Sequence, residues 1–297
     1  MLTPEARFRR FARAVTTEVG ALDDSFLGRG RPLGAARVLN AVGHGRTSVA
    51  DLRAYLRLDS GLMSRLLRSL EGEGLIVTRQ GNDDARFRVV ELTAAGRREL
   101  KAYDAISDQR ARDVLERHSE TSRLLDALDL IATVLTRDQV VVDMLPASDP
   151  RARYCLDAYY EELQERFEGG FDVSRSRDPG AEQTAPPRGA FLVANSDGLP
   201  VGCVALVGNG TQFAEIKRLW VSRAARGCGI ASLLMRHAET VASGLGIRTL
   251  RLDTNRALTE AYGFYRRAGW REIDRFNDDP YADHFFAKDV AFESPSS

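Results

Sequence analysis

The sequence predicts two domains of different class: a mostly helical first domain with one β-hairpin, and an α/β second domain in which strands and helices alternate. Three observations predict this. The chain has 297 residues, too many for one ordinary core and suited to two of roughly 100–200 residues each. Helical periodicity with one hairpin pattern runs from Pro4 to Leu135, whereas short apolar runs of strand type begin at Gln139. The charge also changes sign: Met1 to Lys101 holds 18 Lys+Arg against 12 Asp+Glu, and Ala102 to Asp143 holds 5 against 9. The boundary is expected near Thr136–Asp138, giving domains over 1–136 and 137–297.

Bulk composition narrows the classes. At 43% hydrophobic residues the chain is globular rather than disordered. No apolar run approaches the ~18–20 residues that cross a bilayer, and the first residues (MLTPEARFRRFARA) lack the apolar core and cleavage site of a secretory signal. Cys155, Cys203 and Cys228 are odd in number and widely spaced, with no CxxC. Neither disulfides nor a metal is expected, and a reducing, cytoplasmic setting is. A basic first hundred residues permits a polyanionic partner without demanding one.

In the first domain, Ser48-x-x-Asp51 fits a capping box opening a helix to about Leu56. Arg57–Asp59 makes a tight turn, and Asp59 suits the N-cap of a helix from Ser60 to about Glu71. There Leu62, Met63, Leu66, Leu67 and Leu70 form one apolar stripe, with Gly61, Ser64, Arg65 and Arg68 opposite; Gly72 and Gly74 stop the helix. Two short helices joined by a tight turn, the second with small and basic residues outward, are what a major-groove reader needs: small residues allow close approach, and arginines reach phosphates or guanine edges. A hairpin comes next, with strands at Leu75–Arg79 and Arg86–Leu92 around the turn Gly81–Asp84, and Thr93–Gly96 then opens a long helix. A basic hairpin behind a helix-turn-helix is a wing, whose Arg86 is suited to a narrow minor groove.

The stretch EGLIVTRQGNDDARFRVVELTAAGR, with Asp84 and Arg86 as an Asp-x-Arg pair, resembles the wing of MarR-type winged-helix regulators; the resemblance covers about Ala6–Leu135. It implies a homodimer built on the first and last helices, with Phe8, Phe11, Val15, Leu124, Leu125, Leu128, Ile131 and Leu135 as contact candidates. It also implies double-stranded operator DNA as partner, with Ser60, Ser64, Arg65, Arg68 and Arg86 as contacts and Asp84 steadying Arg86.

In the second domain QVVVDML reads as a strand, Arg151–Phe167 as a helix, and Asp172–Gly189 as a polar, Pro/Gly/Ser-rich mobile loop. Phe213–Val221 alternates as a strand. Arg226-Gly227-Cys228-Gly229-Ile230-Ala231 then leads into an amphipathic helix carrying Leu233, Leu234, His237, Ala238 and Val241, with His237 read as core. A strand, a glycine turn and a helix start make an anion site: free N–H groups point outward, the helix dipole adds positive charge, and glycine lets the backbone approach a phosphate. A P-loop is excluded because GxxxxGK[ST] is absent, and the order is wrong for GxGxxG.

What fits is Val-x-x-x-x-[Gln/Arg]-x-x-Gly-x-[Gly/Ala], as Val221, Arg226, Gly229 and Ala231. Over about Gln139–Phe292 the chain resembles the GNAT acyltransferases, also in GLPVGCVALV and DTNRALTEAYGFYRRAGW. The resemblance implies an α/β mixed-sheet fold and acetyl-CoA as co-substrate. It implies carbonyl polarisation by the backbone at Leu219–Val221, and diphosphate binding by the amides of Cys228, Gly229, Ile230, Ala231 and Ser232 beside Arg226. Asn255 would bond the pantetheine arm, Tyr265 would protonate the departing thiolate, and Glu215 matches a general base.

The acceptor is expected between two aromatic segments, with Tyr160, Arg166, Asn277 and His284 as candidate contacts and most of Tyr159, Phe167, Phe285 and Phe286 as core. The whole reads as a bifunctional DNA-binding regulator and N-acetyltransferase of a small amine or amino acid. The alternatives are a non-catalytic acetyl-CoA or amine sensor controlling DNA binding, and a protein-lysine acetyltransferase.

Overall fold

The computed structural model describes residues 3–80, 88–175, 181–208 and 212–291. The chain divides into two compact units, Met1–Thr121 and Ser122–Ser297. That division falls ahead of the change of sequence pattern at Thr136–Asp138, because nearly all of the helix Thr121–Leu135 (α6) belongs to the second unit.

In the first unit, Thr3 caps α1 (Pro4–Glu18), accepting the Ala6 N–H at 3.3 Å, and proline at the helix start has no N–H to lose. α1 buries no residue within the chain, and Phe8 is 59% exposed. α2 (Leu33–Gly43) is the central helix, burying Val38 and Leu39 completely. α3 (Val49–Leu56) begins at Ser48, whose Oγ accepts the Asp51 N–H at 3.4 Å, and ends at Arg57 in the left-handed region. α4 (Ser60–Gly72) begins at Asp59, whose Oδ1 accepts the Leu62 N–H at 2.8 Å. Its stripe of Met63, Leu66, Leu67 and Leu70 is buried as the spacing predicts, with Leu62 at the margin.

Antiparallel strands β1 (Ile76–Gln80) and β2 (Arg88–Leu92) pair Ile76 with Leu92, and Ser48 bridges Val89 as a rudimentary third strand. The turn of this hairpin, with Asp84 and Arg86, lies outside the described residues. Thr93 ties the hairpin to α5 (Ala94–Leu115): its Oγ1 accepts the Gly96 N–H and donates to the Gly74 carbonyl. A Cβ on Gly96 would stand 2.0 Å from the Leu75 carbonyl oxygen, so only glycine fits there.

The second unit is built on a seven-stranded mixed sheet. Its strands are β3 (Val141–Met144), β4 (Ala190–Ser196), β5 (Leu199–Gly208), β6 (Phe213–Val221), β7 (Thr249–Thr254), β8 (Arg271–Glu272) and β9 (His284–Asp289), in the order β3-β4-β5-β6-β7-β9-β8. All neighbours are antiparallel except β6 and β7, which are joined by a crossover through α8 (Ile230–Gly244). α7 (Pro150–Arg166) covers one face over Phe191, Val193, Cys203 and Ala205; α8 covers the other over Leu192, Val204, Leu206 and Ile216. α9 (Thr259–Arg267) comes after β7. His237 on α8 is exposed, correcting its placement in the core: Met235 takes the position beside Leu234 and Ala238.

Two irregularities in β6 open the sheet. Pairing with β5 shifts between Cys203–Trp220 and Ala205–Lys217, so Arg218 and Leu219 oppose the single residue Val204. Arg218 sits at φ 55, the left-handed backbone of a bulge. Beyond Glu215, β6 no longer pairs with β7: the parallel ladder is Phe213–Thr249, Ala214–Leu250 and Glu215–Arg251. The two strands therefore part at their C-terminal ends.

Candidate active site and groove-reading face

The parted strands carry two adjoining cavities. The smaller, of about 100 Å³, is lined by Lys217, Arg218 and Leu219 of β6, Asp253–Asn255 at the end of β7, Tyr159, Tyr160 and Leu163 of α7, and Tyr265 of α9, with Phe167, Phe171, Asp279 and Tyr281 around it. The larger, of about 540 Å³, runs from Leu219–Val221 past Arg226, Gly227 and Gly229 to the first turn of α8. Tyr159, Leu163, Leu219, Leu258 and Ala261 line both. A groove thus leads along the opened edge of β6 into a small chamber.

At the far end of the groove the chain turns into α8. Gly229 is the N-cap at φ 83 and Gly227 sits at φ 77, conformations that side chains disfavour. The first-turn amides of Ile230, Ala231 and Ser232 have no intrahelical acceptor and stand at the positive end of the helix dipole. This is the arrangement an anionic diphosphate requires, and a groove of this size admits an extended pantetheine arm. Cys228 departs from the expected donor set: its N–H is spent inside the turn on the Ala225 carbonyl (3.3 Å), and the residue is buried.

Arg226 does not reach toward the groove as a free cation. Its Nε donates to the Val221 carbonyl (3.1 Å) and its Nη2 to Glu162 Oε2 (2.5 Å). Glu162, 9% exposed on α7, also accepts the Trp220 indole N–H (3.2 Å) and an Arg166 N–H (3.2 Å). Arg166 continues to Glu260 (2.7 Å) and the Ala257 carbonyl (2.8 Å) on the approach to α9. One buried carboxylate therefore fastens the anion-binding turn, β6 and α7 together. The sequence shows Glu162 only as one of several charges on a helix, and nothing local distinguishes it. The Arg166 bond holds the Glu260 carboxyl down at about 2.

In the chamber, Tyr265 is buried, and its hydroxyl has no hydrogen-bond partner among the described residues. Burial, reinforced by the negative Asp253, pushes its pKa well above the ordinary phenol value, so it keeps its proton at neutral pH. Asn255 lines the same space, but both ends of its amide are engaged: Nδ2 donates to the Tyr281 carbonyl (2.7 Å) and Oδ1 accepts the Ala257 N–H (2.8 Å). Its side chain thus forms part of the chamber wall, with one N–H and one lone pair already engaged there. Glu215 stands two residues before Lys217 on β6, 3.4 Å from its ammonium and outside the lining, while Lys217 and Asp253 themselves line the chamber 3.5 Å apart.

Of the expected acceptor contacts, Tyr160 lines the chamber, stacked on Phe171 at 5.8 Å. Arg166 lies on the groove side in the network above. Asn277 is outside the lining and holds Asp253 Oδ2 at 2.7 Å. His284 points to Glu272 (3.1 Å) and packs on Tyr262, because its place on β9 sends it away from the parted strands. Phe285 and Phe286 are core, as expected, whereas Tyr159 and Phe167 are wall. Among the described residues no group of three His, Cys, Asp or Glu is placed to hold a metal, and no helix is long and apolar enough to cross a membrane.

In the first unit, Ser60, Ser64, Arg65 and Arg68 are all exposed along one face of α4, with Arg68 Nε bonded back to the Ser64 carbonyl (3.2 Å). Arg86 lies outside the described residues.

A helix-turn-helix with a hairpin, followed by a mixed sheet whose parted strands meet a glycine turn, defines a winged-helix module joined to an acyltransferase-type domain. Comparison with known families agrees: residues 29–86 match the MarR family and residues 156–270 the acetyltransferase (GNAT) family. The chain thus joins a MarR-family segment to a GNAT-family domain.

Similar proteins include an uncharacterised N-acetyltransferase of Chlorobaculum tepidum, 35% identical over 85 residues (29% of this chain, 52% of that protein). An IAA acetyltransferase of Azospirillum brasilense is 33% identical over 98 residues (33% and 63%). The chain spans about half to under two thirds of the length of these curated relatives. Among solved structures, a GNAT-family acetyltransferase of Staphylococcus aureus Mu50 aligns at TM-score 0.45 and 18% identity (51% of this chain, all of that one). The PaiA N-acetyltransferase of Thermoplasma acidophilum, in complex with coenzyme A, aligns at 0.39 and 18% (50% and 98%).

Proposed function

We propose that the protein is an acetyl-CoA-dependent N-acetyltransferase of a small amine, joined to a winged helix that binds operator DNA and regulates transcription. The observation that carries the enzymatic half is the meeting of groove and chamber at Leu219. The groove ends in free amides suited to a diphosphate, and the chamber holds a protonated, unpartnered phenol. Acetyl transfer to an amine needs an oriented thioester, a neutral nucleophile and a proton for the departing thiolate. The backbone of β6 that the bulge releases from pairing supplies N–H groups to a thioester carbonyl. Tyr265 supplies the proton to sulfur. Lys217 and Asp253, with Glu215 and Asn277 behind them, set the charge where the amine enters. About 100 Å³ favours a small acceptor over a protein side chain with its backbone.

A thiol-release assay over a broad panel of amines, amino acids and lysine peptides tests this. Turnover of a small amine supports it; turnover of the peptides alone overturns the acceptor assignment, and no turnover overturns the enzymatic reading. In the first unit, the exposed Ser64, Arg65 and Arg68 face supports DNA binding; exposed apolar residues on α1 and, in the second unit, on α6 support a homodimer. Affinity for upstream DNA should fall steeply with salt as counterions are released. A flat salt dependence would refute groove reading.

A further inference from the structure

The anion-binding turn carries no free cation of its own, since Arg226 is held by Glu162 and Val221 and Arg223 is paired with Glu165. A cation stands over it from elsewhere in the chain. Arg137, in the short turn Arg137–Gln139 after α6, places its Nη2 3.8 Å from the point that a Cβ on Gly229 would occupy. The side chain is exposed and has no carboxylate partner among the described residues. Its backbone is fixed: Thr136 Oγ1 lies 2.9 Å from Ser196 Oγ at the end of β4, the Gln139 N–H donates to the Thr136 carbonyl (2.8 Å), and β3 begins at Val141. Gly229 is the residue whose carbonyl side opens α8 and whose following amides are the free ones. An exposed guanidinium on a fixed backbone, with no carboxylate partner among the described residues and set beside amides that lack an intrahelical acceptor, makes a two-sided anion site, because the guanidinium fork matches phosphate oxygens.

We propose that Arg137 is a ligand of the coenzyme's diphosphate, so that coenzyme binding pins the turn at the end of α6. This rests on the acetyl-CoA reading above and adds to it a residue outside the glycine turn. It also adds a physical route by which donor occupancy is felt at α6. No other residue of the helix-to-sheet connection is required, and Thr136 and Gln139 act only by holding the Arg137 backbone.

Calorimetric titration of the full chain with CoA, 3′-dephospho-CoA and pantetheine, for the wild type, Arg137→Ala and Arg137→Lys, decides it. Arg137→Ala should weaken CoA and dephospho-CoA alike by about tenfold, the scale of one charge-assisted hydrogen bond, flatten their salt dependence, and leave pantetheine unchanged. Arg137→Lys should recover part of the loss. Hydrogen exchange over 136–142 should slow on adding CoA to the wild type and not to Arg137→Ala. Equal CoA affinity in the wild type and Arg137→Ala overturns the proposal, as does an equal loss for pantetheine. A loss confined to CoA, sparing dephospho-CoA, assigns Arg137 to the 3′-phosphate and overturns the diphosphate contact. A wild type that binds no CoA removes the coenzyme reading itself.

Discussion

Replacing Glu162 by alanine removes the common acceptor of three donors, and the loss can be worked out donor by donor. The Trp220 indole, 8% exposed, loses its partner where water has little access, at about 1–3 kcal/mol. Arg166 keeps Glu260 and the Ala257 carbonyl, so its loss is small. Arg226 keeps the Val221 carbonyl, and its side chain is 38% exposed, so solvent replaces most of that ion pair. The expected loss is about 3 kcal/mol, with the indole dominating. For a unit of this size that is a fall of roughly 6–12 °C in Tm, at ~2–4 °C per kcal/mol. Glu162→Gln keeps a carbonyl oxygen for the indole and should cost about 1 kcal/mol. Thermal denaturation of the full chain, followed by Trp fluorescence and circular dichroism, reads both. CoA affinity should drop with Glu162→Ala, because the glycine turn loses its fastening to α7. An alanine variant melting within 1–2 °C of wild type, or a glutamine variant as damaged as alanine, would refute the reasoning.

Four further outcomes are expected. Tyr265→Phe removes one unpartnered oxygen, so Tm should hold within about 1 °C while kcat for acetyl transfer falls about a hundredfold, at the lower end of general acid catalysis; an unchanged kcat removes Tyr265 as the acid. Because burial raises the Tyr265 pKa, its proton should be present throughout the range in which acceptor amines become neutral. The pH–rate profile should then climb to a plateau, and a descending limb at pH 9–10 that Tyr265→Phe abolishes would contradict this. Gly229→Ala forces a side chain into the left-handed region at φ 83, costing about 1–2 kcal/mol, and should weaken CoA more than pantetheine. The Glu260 carboxyl is held at about 2 by Arg166, so the folded pKa is below the unfolded one. Its contribution is full above about pH 4.5 and is lost as pH falls toward 2. Glu260→Gln should flatten the acid limb of Tm against pH over that window, and an unaltered limb would show the pair contributes nothing.

Local chemistry made much of this molecule readable in advance. Ser48, Asp59 and Thr93 cap the helices they precede, β6 spans Phe213–Val221, and Gly229 opens α8, because each depends on side chains within a few residues of one another. What was missed depends on contacts between distant segments. Glu162 gains its meaning only when α7 meets β6 and the glycine turn. Arg166 looks like a free cation until Glu260 arrives from 94 residues away. Asn277 and His284 lie near chamber residues in sequence, but one is bonded to Asp253 and the other to Glu272, partners 24 and 12 residues away. His237 shows the limit of periodicity: it shares a broad apolar sector, but sheet contact uses the narrower stripe through Leu234, Met235 and Ala238. Arg137 carries no local motif, and only its approach to Gly229 gives it a role.

One of the two irregularities that open the sheet rests on a single surplus residue. Arg218 and Leu219 face Val204 alone, so shortening the strand by either would restore the regular ladder and draw the neighbouring edges toward each other. Room for a ligand is therefore partly a matter of counting, and not only of which side chains line it. A substitution along this segment leaves that count unchanged, whereas the loss or gain of a single codon alters it, and with it the register of the β6 residues that line the groove.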